Sequence, residues 1–181
     1  MERDSFIVVG AGQSGLQICE SLRREGFDGA LLLIGNEADL PYQRPPLSKK
    51  FLTGEVQNER LLFRQKDYFQ KKDIEFIGSK EVTSVDLADQ TITIRDQTLR
   101  YSKLALTTGT RIRPFSCPGS GEADIHYIRT IKNAMKLRES LESSNRLLVI
   151  GGGFIGLEVA AVGRQLGLEV RVIESTARLM S

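Results

Sequence analysis

Two glycine-rich turns constrain the fold of this 181-residue chain more than any other feature. The pattern G-x-G-x-x-G occurs within "VVGAGQSGLQIC" and again within "VIGGGFIGLEVA". Its glycines are Gly10, Gly12 and Gly15 in the first turn and Gly151, Gly153 and Gly156 in the second. In such a turn the first glycine allows a sharp bend, the second lets a pyrophosphate approach the backbone, and the third lets helix pack on strand. Each turn therefore predicts a cradle for dinucleotide phosphates at a helix N-terminus.

The segments around the two turns have the order strand, helix, strand. Apolar runs followed by glycine predict buried parallel strands, and apolar residues at helical spacing follow each turn. The predicted segments are strand 6–10, helix 14–25 and strand 30–35, then strand 146–151, helix 154–166 and strand 169–174. We therefore expect an α/β protein with two Rossmann-like dinucleotide-binding domains. One β-α-β unit supplies too few strands for a doubly wound sheet, so the second domain is expected to be truncated.

The middle of the chain predicts shorter elements and a domain boundary. Residues 41–49, "PYQRPPLSK", hold three prolines and predict a stiff extended loop. A polar helix over 59–71 and short strands over 74–77, 81–86, 91–96 and 103–109 follow, with a hairpin turn at "DLADQ". Residues 111–122 hold two prolines and two glycines and are the best linker. We place the first domain at 1–113 and the second at 114–181.

Polar residues at the strand ends extend the nucleotide prediction. Glu174 closes "VRVIE" at the spacing expected for a carboxylate that accepts the ribose hydroxyls of an adenine nucleotide. After the first turn the corresponding strand ends at "GNE", so Asn36 or Glu37 is expected to contact the ribose there. Two dinucleotide sites on one chain suggest hydride transfer from a nicotinamide to a flavin.

Composition excludes several other classes of protein. Lys and Arg number 25 against 23 for Asp and Glu, so nothing favours nucleic acid or an anionic membrane as a partner. The start of the chain lacks a secretory pattern and no apolar run is long enough to span a bilayer, so cytoplasm is expected. Cys19 and Cys117 are too far apart for a redox pair, and a single histidine supports no metal site.

Five motifs resemble one family of flavoproteins. They are "GAGQSG", "LPYQRPPLSKKFL", "LALTTGTRIRP", "YIRT" and "VIGGGFIGLEVAA". The chain resembles, along its whole length, the N-terminal half of the FAD-dependent NAD(P)H:ferredoxin and rubredoxin reductases. The resemblance implies FAD in the first cradle, NAD(H) in the second, and electron transfer to a ferredoxin or rubredoxin.

The resemblance also implies which further residues contact FAD. They are Ser14, Asn36, Glu37, Arg44, Lys49, Val82, Thr108, Gly109 and Arg129. Asn36 stands where relatives often have an acid, so the ribose contact can pass to Glu37. Arg44 and Lys49 lie on the proline-stiffened loop, where rigidity lowers the cost of holding cations near a pyrophosphate. Thr107 replaces an alanine that relatives have before Thr108.

Lys49, Phe154 and Glu158 are implied to act at the flavin itself. Phe154 matches an aromatic that covers the flavin until nicotinamide enters, with core packing as the alternative. Lys49 would stabilise the negative charge of reduced flavin, while Glu158, expected on the other domain and in the first helical turn, holds the ammonium. The alternative is that Lys49 only anchors pyrophosphate. Glu174 favours NADH over NADPH, although nearby Arg178 can accommodate a 2′-phosphate.

Three other functions remain open from the sequence. The flavin module of an NADH-dependent nitrite reductase looks similar, as does a redox-sensing flavoprotein resembling apoptosis-inducing factor. The chain can also be an inactive fragment that holds FAD weakly. Thiol chemistry is not favoured, because Cys19 lies on an apolar helix face and Cys117 lies in the linker.

Overall fold

The chain forms two units in a computed structural model that describes residues 4–95 and 97–180. The first unit comprises the chain up to Tyr42 together with Leu62–Thr110, and the second comprises Gln43–Leu61 together with the chain from Arg111 onward. The change of unit near residue 110 lies close to the linker predicted from the sequence. Residues 43–49 of the proline-rich segment, expected in the first domain, belong to the second unit. Leu52, which follows that segment, is fully buried in an apolar core of the second unit.

The first unit has a four-stranded parallel sheet and a three-stranded antiparallel sheet. Its strands are β1 Ser5–Val9, β2 Ala30–Ile34, β3 Glu75–Ile77, β4 Val82–Asp86, β5 Thr91–Ile94, β6 Gln97–Arg100 and β7 Lys103–Leu106. Helix α1 spans Gln13–Arg24, α2 spans Asn58–Leu61 in the second unit, and α3 spans Lys66–Lys71. The parallel sheet has the order β3-β2-β1-β7, and β4-β5-β6 form the antiparallel sheet.

Both faces of the parallel sheet are buried, which explains the continuous apolar runs of β1 and β2. On one face, Val8 packs with Leu16 and Cys19 of α1 and with Phe69 of α3. The buried residues of the opposite face and of the antiparallel sheet are Ile7, Val9, Ile34, Ile92, Ile94 and Tyr101. The first unit therefore has three layers, with helices and the antiparallel sheet on either side of the parallel sheet. This confirms the α/β, Rossmann-like class.

The second unit is built around one β-α-β element. Its elements after Arg111 are α4 Ile131–Glu142, β8 Arg146–Ile150, α5 Phe154–Gln165 and β9 Glu169–Ile173. Strands β8 and β9 are parallel, with Val149 opposite Val172. Helix α4 begins with a reciprocal capping box between Thr130 and Asn133. None of the helices within the described residues combines the length and apolar character that a bilayer crossing requires.

The middle of the chain corrects two sequence predictions. The extended loop over 41–49 contains a 3₁₀ turn at Pro45–Ser48, because the fixed φ of proline suits the first positions of such a turn. The helix predicted over 59–71 is two helices, α2 and α3. Between them Leu62 forms a β-bridge with Tyr42, which takes the backbone out of helical geometry.

The strand predictions over 74–109 are close to the structure with three main differences. The strand predicted over 103–109 ends at Leu106 in β7. The strand predicted over 91–96 ends at Ile94 in β5, and Asp96 lies outside the described residues. Strand β6 was missing from the prediction, and it follows β5 directly in an antiparallel pair. The hairpin predicted at "DLADQ" joins β4 to β5.

Candidate functional site

Two glycines of the first cradle are required by the packing of the backbone. Gly10 has a φ of +112°, and a Cβ there would lie 2.2 Å from the carbonyl oxygen of Thr107. A Cβ at Gly15 would lie 2.1 Å from the carbonyl oxygen of Gly10. Neither position can hold a larger residue without moving backbone, so these glycines by themselves do not indicate a ligand.

Gly12 has no such structural requirement. Its φ of −98° suits any residue, and a Cβ there would meet no described atom within 4 Å. Helix α1 begins directly after it, and in the described structure no side chain caps this end and no acidic residue lies in its first turn. Ser14, the second residue of α1, is exposed. Open space before an uncapped helix N-terminus fits a phosphate.

The second cradle repeats this arrangement. Gly151 has a φ of +103°, and a Cβ at Gly156 would lie 2.2 Å from the carbonyl oxygen of Gly151. Gly153 has a φ of −78°, and a Cβ there would meet no described atom within 4 Å. Helix α5 also begins without a side-chain cap among the described residues. The residues of both cradles therefore fit a dinucleotide pyrophosphate.

Glu174 lies directly against the second cradle. Its Oε2 accepts a hydrogen bond of 2.7 Å from the backbone N–H of Gly152, and its Oε1 accepts one of 2.9 Å from the N–H of Thr176. The hydroxyls of Ser175 and Thr176 also donate to Oε1. The hydrogen bonds from the Gly152 and Thr176 amides lower the pKa of Glu174 to about 2. The carboxylate is therefore ionised at neutral pH.

The first cradle has no acid at the corresponding strand end. The N–H of Gly10 donates to the Ile34 carbonyl oxygen, as the N–H of Gly151 donates to Ile173, both at 2.8 Å. The residue after Ile34 is Gly35, where Glu174 follows Ile173. The two cradles therefore differ at the position that would contact a ribose.

The glycine at position 35 has a packing reason. A Cβ at Gly35 would lie 2.6 Å from the Cβ of Ala11. The second cradle has the reverse arrangement, with Gly152 in the turn and the larger Glu174 directly after the strand. In each cradle there is room for a side chain either from the glycine-rich turn or from the end of the facing strand, but not from both.

Asn36 and Glu37, the two sequence candidates for the first ribose contact, differ in their surroundings. Asn36 is exposed. Glu37 is partly buried, and its Oε2 accepts a hydrogen bond of 2.5 Å from the hydroxyl of Tyr42. Glu37 is therefore the better ordered of the two, while Asn36 has the more accessible side chain.

Thr107, which the sequence marks only as a departure from relatives, contacts the first cradle from directly after strand β7. Its backbone N–H donates to the Val9 carbonyl oxygen at 2.7 Å, and its hydroxyl donates to the Gly10 carbonyl oxygen at 2.8 Å. Thr108 and Gly109, which follow it, are exposed. The substitution of threonine for alanine was the one sequence signal that pointed to this contact.

Four further predicted residues lie outside the two glycine turns or at their edge. Val82 begins β4 and packs partly buried against the core shared by the two sheets of the first unit. In the second unit, a guanidinium nitrogen of Arg44 donates to the backbone carbonyl of Arg129. Phe154 is 70% exposed at the start of α5, so it does not pack in the core. Its exposure leaves the flavin-covering role open as a prediction.

Lys49 and Glu158 form an ion pair inside the second unit. The Lys49 Nζ lies 2.7 Å from Glu158 Oε1, and the buried Ser48 hydroxyl donates to Glu158 Oε2. Burial opposes ionisation of Glu158, but the hydrogen bonds from Lys49 and Ser48 and the Lys49 charge outweigh it and lower the carboxyl pKa. The expected pair is therefore present, although both partners belong to one unit. Glu158 is the fifth residue of α5, past its first turn.

The cysteines have surroundings that do not favour thiol chemistry. Cys19 is buried in α1, and desolvation raises its thiol pKa to about 12. Cys117 is exposed. Among the described residues, no group of three or more His, Cys, Asp or Glu side chains is arranged to hold a metal ion.

Comparisons with known proteins agree with this geometry. A sequence model of the family described as pyridine nucleotide-disulphide oxidoreductase matches residues 4–181. The chain is 42% identical over 178 residues to rhodocoxin reductase of Rhodococcus erythropolis, covering 98% of this chain and 42% of that protein. It is 40% identical over 181 residues to the ferredoxin–NAD(+) reductase component of the anthranilate 1,2-dioxygenase system of Burkholderia cepacia, covering 99% of this chain and 45% of that protein.

A solved structure gives the same result in three dimensions. The covalent putidaredoxin reductase–putidaredoxin complex matches with a TM-score of 0.93 and 35% identity, covering 98% of this chain and 44% of that chain. The chain thus spans less than half the length of the curated relatives described above.

Proposed function

Because the chain belongs to the pyridine nucleotide-disulphide oxidoreductase family, we propose that its protein is a flavin-dependent reductase. Bound FAD would take a hydride from NADH and supply electrons to a ferredoxin or a rubredoxin. The single observation that supports this most directly is the pair of open cradles, at Gly12 and at Gly153, each before an uncapped helix. Two such sites suit a protein that holds two dinucleotides at once.

The first cradle is the proposed FAD site. Gly10, Gly12 and Gly15 shape its turn, and the free N–H groups at the start of α1, with Ser14, would donate to the pyrophosphate. The remaining residues proposed for FAD are Asn36, Glu37, Arg44, Lys49, Val82, Thr108, Gly109 and Arg129. Arg44 already donates to the Arg129 carbonyl, which limits the freedom of its guanidinium before any ligand binds.

The second cradle is the proposed NADH site. Gly151, Gly153 and Gly156 shape its turn, and Glu174 would accept the ribose hydroxyls. Its ionised carboxylate would repel the extra phosphate of NADPH. Phe154 would cover the flavin ring until the nicotinamide ring of NADH enters. These assignments support NADH as the preferred coenzyme.

Lys49 and Glu158 are the proposed catalytic pair. Hydride transfer leaves negative charge on the acceptor, and an ammonium held in a fixed place stabilises that charge. Glu158 holds Lys49 at 2.7 Å and would limit how far the ammonium moves. The chain's two cysteines take no part in this proposal, because the buried Cys19 thiol stays protonated and Cys117 lies in the linker.

Alanine at the two open glycines tests the assignment of the cradles. Gly12→Ala and Gly153→Ala should leave the free energy of unfolding within about 1 kcal/mol of the parent, because both positions have ordinary φ and open space. Gly12→Ala should weaken FAD binding by about tenfold or more, since a methyl group would block the approach of pyrophosphate. Gly153→Ala should weaken only NADH binding. Titrations followed by flavin fluorescence quenching and by NADH fluorescence measure both.

Gly121→Ala is the matched control for these variants. Gly121 also has open space around an added Cβ, but it lies outside both cradles. It should change neither affinity. Unaltered FAD binding by Gly12→Ala would contradict the proposed flavin site.

A further inference from the structure

Ser48 is a buried polar residue, with 4% of its surface exposed. Its hydroxyl donates to Oε2 of Glu158, while the Lys49 ammonium lies 2.7 Å from Oε1. Two consecutive residues of the proline-rich segment thus contact the two oxygens of one carboxylate. An ionised carboxylate only accepts hydrogen bonds, so the Ser48 hydroxyl has a defined role as the donor.

The two donors differ in how firmly the protein holds them. Ser48 ends the 3₁₀ turn that begins at Pro45, and its neighbours Leu47, Phe51 and Leu52 are buried. Its short side chain has one rotatable bond. Lys49 reaches the carboxylate on a four-carbon stem and is 49% exposed. Ser48 is therefore the more tightly constrained of the two contacts of Glu158.

Rotation of the Glu158 carboxylate would break its hydrogen bond with Ser48, which is energetically unfavourable. The buried hydroxyl would then lose its acceptor in a place from which water is largely excluded. The same rotation would move Oε1 away from the Lys49 ammonium. The hydroxyl thus restricts the carboxylate to the orientation in which both donors are satisfied.

We propose that Ser48 is a positioning residue, which orients Glu158 so that its second oxygen holds the Lys49 ammonium in place. The inference deepens the proposed function, because it assigns to Ser48 the placement of the cation that would stabilise charge during hydride transfer. Ser48 acts through Glu158. It does not need to contact a dinucleotide.

Titration of the Glu158 carboxyl carbon by NMR tests the inference without any cofactor. In Ser48→Ala the Glu158 pKa should rise, because one of the two hydrogen bonds that oppose the effect of burial is lost. In the control Thr53→Ala it should not change, because the Thr53 hydroxyl contacts only Lys50 and Glu55 among the described residues. An unchanged Glu158 titration in Ser48→Ala overturns the inference.

Ser48→Cys is the second variant, since a thiol keeps a donor at the same position but is larger and donates weakly. Ser48→Cys should raise the Glu158 pKa, as Ser48→Ala does, but by a smaller amount. If Ser48→Ala does not fold, an unshifted Glu158 in folded Ser48→Cys overturns the inference.

Stopped-flow reduction of added FAD by NADH gives the functional readout. Ser48→Ala should slow flavin reduction by roughly tenfold, less than the roughly 10²-fold expected for direct loss of an electrostatic donor. In a Glu158→Ala background, Ser48→Ala should have no further effect on the rate, because its target is gone. Additive effects of the two substitutions would overturn the positioning role. If the chain binds no FAD but the Glu158 pKa still rises in Ser48→Ala, the result contradicts the proposed function and leaves the contact between Ser48 and Glu158 supported.

Discussion

At the scale of one residue, Glu174 is the side chain proposed to select the coenzyme. Its carboxylate is held by the Gly152 amide at 2.7 Å and by the Thr176 amide at 2.9 Å, so its orientation is set before a ligand arrives. Those hydrogen bonds keep its pKa near 2, so the charge is present throughout the neutral range. A charged acceptor beside the adenosine ribose favours a diol over a phosphate.

Glu174→Gln should therefore reduce the preference for NADH over NADPH by about tenfold to a hundredfold, the range expected for a hydrogen bond to a charged group. Glutamine keeps one oxygen that can accept from the Gly152 N–H, while its NH2 group cannot accept from the Thr176 N–H. Glu169→Gln is the control, because Glu169 lies exposed at the start of β9 and pairs with Arg171. Equilibrium titrations with both coenzymes measure the ratio. The same ratio in parent and Glu174→Gln would refute this role.

Arg23 joins three element ends of the first unit. Its guanidinium donates to the carbonyl oxygens of Phe27 at 2.6 Å, Gly29 at 2.9 Å, Lys72 at 2.9 Å and Asp73 at 2.5 Å. It thereby links the end of α1 to the turn before β2 and to the turn after α3. The flat, five-donor guanidinium suits four carbonyls at once, whereas lysine offers a single nitrogen.

Arg23→Lys should therefore lower the free energy of unfolding by about 1.5–3 kcal/mol, the scale of hydrogen bonds from a charged group, because the part-buried carbonyls of Phe27 and Gly29 would lose donors. The neighbouring Arg24 is exposed and pairs only with Glu25 among the described residues, so Arg24→Lys should cost less than about 0.5 kcal/mol. Urea unfolding of the three proteins gives the comparison. Similar losses of unfolding free energy in Arg23→Lys and Arg24→Lys would show that the hydrogen bonds from Arg23 to the four carbonyls do not contribute to stability.

At the scale of the molecule, one face of the β8–β9 sheet has few partners within the described structure. Leu148, Ile150 and Ile173 are each more than half exposed on that face, while α5 covers the other. Strand alternation places them together, since Ile150 pairs directly with Ile173. A contiguous apolar patch of this kind promotes association in water.

We expect the 181-residue chain to self-associate and to bind the dye ANS through this patch. The double variant Ile150→Thr, Ile173→Thr keeps β-branched residues in the strands and should lower both signals. Leu87→Thr is the control, because Leu87 is a lone apolar residue, 79% exposed, between β4 and β5. Light scattering across a concentration series and ANS fluorescence measure the effect. Equal self-association by the parent and the double variant would show that this patch is not the cause.

Local patterns were sufficient for the β-α-β elements. The helix predicted over 14–25 is Gln13–Arg24, and the strand predicted over 30–35 is Ala30–Ile34. These agreements are close because periodic apolar residues and glycine turns act over a few neighbouring positions. The long helix over 59–71 was wrong for the same reason. Nothing nearby in the chain signals the bridge from Leu62 to Tyr42 that divides it.

What the sequence by itself determined is the fold class, the two cradles and the glycines that shape them. Tertiary structure alone decided which of those glycines are needed for packing and which leave open space, as Gly10 and Gly12 show. It also brought Ser48 to Glu158 across 110 positions of chain. Contacts between distant residues depend on how elements pack and in which register, and no local pattern encodes that geometry.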